Sequence, residues 1–174
     1  VDLSSSFENT KFELIKPHGA CNLYNASVCG TRGSVSMDAL NVFTNGNICS
    51  ALTDLDFLER IENNAFPPVM SYFEANKATT SGLSFIEQQR ANYANTILEA
   101  DKIIIVGVAY RPSDTHIWGP LAKTEARILN CSGELSKEYK EWSKTIRKCS
   151  ENDINLNSFF RDGFEIICDF AELE

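Results

Sequence analysis

The sequence is poor in several features, and each shortage removes a class of function. Lys and Arg number 16 against 24 Asp and Glu, a net charge of −8. Nucleic-acid binders present basic surfaces, so no nucleic-acid partner is expected. No stretch approaches the roughly 18 apolar residues of a membrane span, and no basic start leads into an apolar core as in a secretory signal. No membrane partner is expected either. Histidine occurs only twice, as His18 and His116. There is no Gly-x-Gly-x-x-Gly loop, no Ser nucleophile elbow and no Cys-x-x-Cys pair, so the plainest signatures of a phosphate-cradling loop and a zinc module are missing.

The remaining composition is that of a folded protein. Hydrophobic residues make up 43% and charged residues 23% of 174 positions, ordinary globular values. This is enough chain for one domain with a sizeable core, and residues 1–174 are read as a single α/β domain. The six cysteines (Cys21, Cys29, Cys49, Cys131, Cys149 and Cys168) are scattered. They read as reduced thiols of a cytoplasmic protein. His18, Cys21, Cys29 and Cys49 have zinc-ligand chemistry, but their gaps are irregular and no metal site is expected. The chain starts at Val1 and ends in Leu173-Glu174, a pair that purification tags often leave. A piece of a larger protein is the expectation.

One stretch carries most of the information. Ile103-Ile104-Ile105-Val106-Gly107-Val108 is an unbroken apolar run, followed by Tyr110-Arg111-Pro112-Ser113-Asp114. Such runs are buried on both faces, as in central strands of parallel sheets. Ligands of open parallel sheets bind outside the carboxyl ends of the strands, so Gly107 to Asp114 is the expected ligand loop. Ser84 is placed to cap a helix leading into this strand. Asp114 is placed to cap a helix over Thr115–Thr124. Arg127–Cys131 reads as the next strand, completing a parallel crossover unit.

Elsewhere, Phe12–Lys16 reads as a strand stopped by Pro17-His18-Gly19. Residues 20–52 read as an irregular insert, with short strands plausible at Ser34–Met37 and Val42–Thr44. Thr53 or Asp54 could cap a helix through Asn63, whose acidic residues form a solvated face. Glu134–Cys149 has one apolar face, with Lys140, Lys144, Arg147 and Lys148 on the solvated side. Phe164–Cys168 reads as a last strand.

Three blocks, in order, carry a likeness: Leu14-Ile15-Lys16-Pro17-His18-Gly19, Ala100 to Asp114, and Arg127-Ile128-Leu129-Asn130. Together they resemble the second half of the sirtuin-like NAD-binding domain in its divergent bacterial form. The resemblance implies a three-layer, Rossmann-like domain with a mostly parallel sheet, NAD as cofactor, and hydrolysis of the nicotinamide bond in the full-length protein. It implies that His18 is the general base and that Gly107, Val108 and Ala109 form the loop at the NAD ribose. It places Asn130 near the adenosine, and Asp114 closes the cofactor loop.

This sequence departs from the family pattern in three ways. Val108 and Ala109 stand where the family carries Ser or Thr after the glycine. The paired-cysteine zinc module is missing, which makes a deacylase less apt than an NAD glycohydrolase. The family's opening half, with its Gly-Ala-Gly loop and partner Asn, is not in the sequence. The chain alone is therefore expected to bind NAD or ADP-ribose weakly and to turn NAD over slowly or not at all. The alternative is a non-catalytic Rossmann-like domain that binds a nucleotide or a protein partner; a homo-oligomer would cover an exposed apolar edge.

Overall fold

The first unit is held by apolar side chains brought together from separate parts of the chain. The computed structural model describes residues 13–25, 48–51, 53, 55, 57–59, 68–71, 81–147 and 150–172. Two compact units divide the chain, Val1–Tyr93 and Ala94–Glu174. In the first, strand β1 (Leu23–Asn25) pairs antiparallel with β2 (Ile48–Ser50), Tyr24 opposite Cys49. Leu23, Ile48, Val69 and Ile86 form its core, with Ala20 and Phe85 against them. Ile86 comes from the long helix α1 (Leu83–Glu99); Ser84, expected to cap it, is instead its second residue.

Residues 13–16 correct the expectation of a strand at 12–16. They are not in a strand, and Leu14 is 78% exposed. The Lys16 amide donates to the Gln89 side chain of α1 at 2.8 Å, not to a ladder. The segment at 20–52 is also less irregular than expected, because β1 and β2 lie within it. The expected strands at 34–37 and 42–44 lie outside the described residues. Of the helix expected to begin at Thr53, residues 55 and 57–59 are helical, and Phe57 donates to the Thr53 carbonyl at 2.9 Å.

The second unit is mixed α/β around a three-stranded parallel sheet. Strand β3 (Lys102–Val106) leads to helix α2 (Thr115–Lys123), and then to β4 (Arg127–Cys131). Helix α3 (Lys137–Thr145) and a short 3-10 turn (Ser150–Asn152) lead to β5 (Ile154–Leu156) and helix α4 (Phe160–Ala171). The strand order is β3-β4-β5. Ile104 aligns with Leu129 and Ile154, and Val106 aligns with Cys131 and Leu156.

Side chains alternate across the sheet. Leu129 and Cys131 of β4 pack with Ile167 and Phe170 of α4, flanked by Ile104, Ile154 and Leu156. Asn130 and Asn155 are register partners on the opposite face. There the Tyr139 hydroxyl of α3 donates to Asn155 Oδ1 at 3.3 Å. Ser136 caps α3, its hydroxyl accepting from the Tyr139 amide at 3.1 Å.

Two further expectations are corrected here. Residues 164–168 are not a strand but the middle of α4. Gly163, Ile167 and Phe170 bury one stripe at spacings of four and three, a helical period. Gly163 lets the helix approach the sheet, since a Cβ there would lie 2.9 Å from Cys131 Sγ. The strand is β5, three residues long and set among polar neighbours.

Arg147 is not on a solvated face. It and Asp153 both have fully buried side chains, with Nε 2.6 Å from Oδ2. The guanidinium also donates to the carbonyls of Leu121 (2.6 Å), Thr124 (3.1 Å) and Ala126 (2.6 Å). It thus ties the end of α2 and the turn before β4 to the start of β5.

Candidate functional site

The segment expected to meet a ligand follows the carboxyl end of β3, where open parallel sheets present their loops. Gly107 has φ of +65°, a left-handed conformation that glycine adopts without steric cost. A Cβ built there would meet no atom within 4 Å. The glycine is therefore required by conformation and not by crowding, and space lies open beside the backbone. Gly107, Val108 and Ala109 are all exposed.

Hydrogen bonds stitch this rim together. The Gly107 amide donates to the Cys131 carbonyl at 3.2 Å. The Val108 amide donates to Ser132 Oγ at 3.2 Å. The Gly133 amide donates to the Ser158 carbonyl at 2.9 Å. Residues 107–108, 132–133 and 158, which follow β3, β4 and β5 respectively, thus share one edge of the sheet.

Tyr110, in the same loop, is half-buried. Its ring centroid lies 5.0 Å from Trp118, 5.6 Å from Trp142 and 6.3 Å from Tyr139. Those three rings also pack on one another at 5.2 to 6.0 Å. Burial pushes the phenols of Tyr110 and Tyr139 above their ordinary range.

Asp114 stands at the start of α2 as expected, but its carboxylate does not cap the helix. Its carbonyl accepts from Ile117 at 2.9 Å and Trp118 at 3.0 Å. The residue is 8% exposed. Asn130 is 1% exposed. It lies on the α3 side of β4, near the Tyr139 hydroxyl, and makes no hydrogen bond of proper geometry through either amide atom. The Asn130 side chain still draws the Tyr139 pKa partly back down against the effect of burial. Of the expected loop contacts, Gly107, Val108 and Ala109 are on the surface, whereas Asp114 and Asn130 lie beneath it.

His18 belongs to the first unit. It sits in a turn, half-buried, and its carbonyl accepts from the Ser71 amide at 2.8 Å. The turn is held against α1: Arg90 donates to the Pro17 carbonyl (3.2 Å) and to Ser71 Oγ (2.8 Å). Gly19 has φ of +70°, and a Cβ there would fall 2.0 Å from the Val69 carbonyl oxygen. The glycine after the histidine is thus fixed by backbone approach, through the Gly19–Met70 bridge.

Gln89, Arg90, Tyr110, Ser132 and Ser158 carry these arrangements and were not singled out from sequence. Only Ser132-Gly133, a small-residue pair after a strand, gave a local signal. Among the described cysteines, Cys131 is buried, Cys49 and Cys168 are half-buried and Cys21 is exposed, all as free thiols. A shallow depression of about 270 Å³ follows α3 and β5, open to solvent and lined in part by Lys140, Lys144 and Glu151; the loop after β3 does not line it. No helix among the described residues is long and apolar enough to cross a membrane.

No protein-family model, curated protein or solved structure matches this chain.

Proposed function

We propose that the chain binds a ligand of the NAD or ADP-ribose class at the carboxyl rim of its parallel sheet, as the carboxyl-side portion of a sirtuin-like, three-layer Rossmann-like domain. The observation that supports this reading is the loop after β3. It is exposed, opened by a left-handed glycine with free space beside it, and bonded to the loop after β4. A sugar can approach such a backbone closely. Gly107, Val108 and Ala109 are the residues that would meet it. Asp114 and Asn130 would support the loop from beneath, given their burial.

In this reading the full-length activity is hydrolysis of the nicotinamide bond. In hydrolysis that C–N bond breaks with its electron pair going to nicotinamide, and a water oxygen bonds to C1′ as it gives up a proton; the resemblance assigns that proton to His18 as general base. Gln89 and Arg90 bond the backbone of Lys16 and Pro17, which fixes the turn that carries His18. Calorimetric titration of the chain with NAD and with ADP-ribose tests the binding. Nicotinamide release from the chain alone should be slow or absent; brisk release that is lost in His18→Ala would overturn the reading of the chain as only part of the domain. Heat with either ligand supports the reading; silence with both removes it.

A second reading has one observation in its favour. Phe159 is 68% exposed, and Val108, Phe160 and Phe164 are exposed too. Apolar exposure of this kind suits a non-catalytic interaction domain with a protein partner. The same titrations separate the two, because this domain would take up neither nucleotide.

A further inference from the structure

We propose that Tyr110 is a positioning residue: its ring, set among Trp118, Tyr139 and Trp142, holds residues 107–109 in a preformed shape for the ligand. The inference rests on the reading that this loop is the binding loop, and it adds how the loop is held. Two anchors bracket the exposed stretch. At one end the Val108 amide is bonded to Ser132 Oγ. At the other the Tyr110 ring meets three aromatic rings at 5.0 to 6.3 Å. Only Ala109 separates the anchored residues.

A segment containing a left-handed glycine has much freedom to lose on binding. Fixing it beforehand removes that cost from the binding step. Trp118 and Tyr139 are 3% exposed and Trp142 is 4% exposed, so the three rings that receive Tyr110 are themselves fixed. They come from α2 and α3, which ties the loop to two helices and not to its own backbone alone. Edge-on and tilted geometries dominate the contacts, at interplanar angles of 69°, 72° and 34°, arrangements that add specific attraction to the area buried. The hydroxyl takes no part in this argument, so phenylalanine should serve as well as tyrosine.

Both tryptophans of the chain are in the cluster. Tryptophan emission therefore reports on the cluster that receives Tyr110, with no indole elsewhere in the chain to obscure it.

The test uses the full chain as wild type, Tyr110→Phe, Tyr110→Leu and Tyr110→Ala. Amide hydrogen exchange at Val108 is measured without ligand, tryptophan emission is followed during ADP-ribose addition, and affinity is measured by calorimetry. Tyr110→Phe should match wild type throughout. Tyr110→Ala should speed Val108 exchange about tenfold or more, flatten the emission change and weaken ADP-ribose about tenfold. Tyr110→Leu keeps apolar volume, so it answers the same questions if the alanine variant fails to fold. Unchanged Val108 exchange in the alanine or leucine variant overturns the proposal. So does an equal loss of affinity in Tyr110→Phe, which would put the hydroxyl on the ligand. If wild type takes up no ADP-ribose, the nucleotide reading is what fails, and the exchange at Val108 still decides whether Tyr110 anchors the loop.

Discussion

Replacing Asn130 with Val should make the protein more stable. Asn130 lies within the central strand of the parallel sheet, 1% exposed, with neither amide atom in a proper hydrogen bond. Burying an amide without partners costs about 1–3 kcal/mol. Valine removes that cost and suits a buried strand. Its branched side chain differs in shape from the amide, and such a mismatch costs less than about 1.5 kcal/mol when volumes are close. The balance is a gain of about 1–2 kcal/mol. At about 2–4 °C per kcal/mol for a chain of this size, Tm should rise by roughly 2–8 °C. Thermal unfolding followed by near-UV circular dichroism measures it, and urea denaturation should show a higher midpoint at unchanged slope. A fall in Tm of more than a few degrees would refute the reasoning. It would show that the amide is bonded in solution, with the Tyr139 hydroxyl as the nearest candidate.

Three other substitutions and one titration follow from the same geometry. Gly19→Ala should cost on the order of 3 kcal/mol or more, because strained φ and a backbone clash act together, whereas Gly107→Ala should cost only about 1–2 kcal/mol, from φ alone; parallel urea melts compare them. Arg147→Leu should lower stability by about 3–5 kcal/mol, since it leaves the Asp153 carboxylate buried without its cation; a chemical denaturation midpoint near that of wild type would refute the clamp. Burial pushes the Tyr93 phenol up to about 12 from its ordinary 10. Its contribution to stability is then intact below pH 10 and lost as pH rises toward 12, so alkaline unfolding should be delayed in Tyr93→Phe.

What could be read from the sequence was set by the strength of each local pattern. The apolar run from Ile103 and the strand Arg127–Cys131 are dense in β-branched or aliphatic residues, and the structure places β3 and β4 there. Their parallel pairing followed from the helix between them. Strand β5 was not legible, because its three residues include one asparagine and no periodic signal can form over such a length. Residues 164–168 misled in the opposite direction. Phe164 and Ile166 are apolar but exposed, so the run looked buried when only the Gly163, Ile167 and Phe170 stripe is. Arg147 was hidden by its setting: it follows a charged helix, and only the tertiary arrangement of three carbonyls and Asp153 explains its burial. For the candidate site, Gly107 and the loop after it were legible from strand-then-glycine order. Tyr110's anchorage was not, since its partners lie 8 to 32 residues away in α2 and α3.

The two faces of the parallel sheet are built on different principles, and this bears on where function sits. The α4 face is sealed by Leu129, Cys131, Ile167 and Phe170, side chains that need no partner beyond close packing. The α3 face carries Asn130 and Asn155 under the Tyr139 hydroxyl. Buried polar groups of this kind are costly unless every member is well bonded, and neither Asn130 amide atom meets hydrogen-bond geometry. An apolar residue at 130 would give a more stable sheet, so the asparagine is not accounted for by stability. Tyr139 is also one of the rings that receive Tyr110. The unsatisfied amide, the aromatic cluster and the glycine-opened loop are therefore contiguous, with the loop at the outer end. Local rules of folding tend to be broken at functional sites and kept elsewhere. If that holds here, Asn130→Val should raise Tm and weaken ADP-ribose in the same variant. A rise in Tm with affinity unchanged would separate the amide from the site and leave it as a fault in the core.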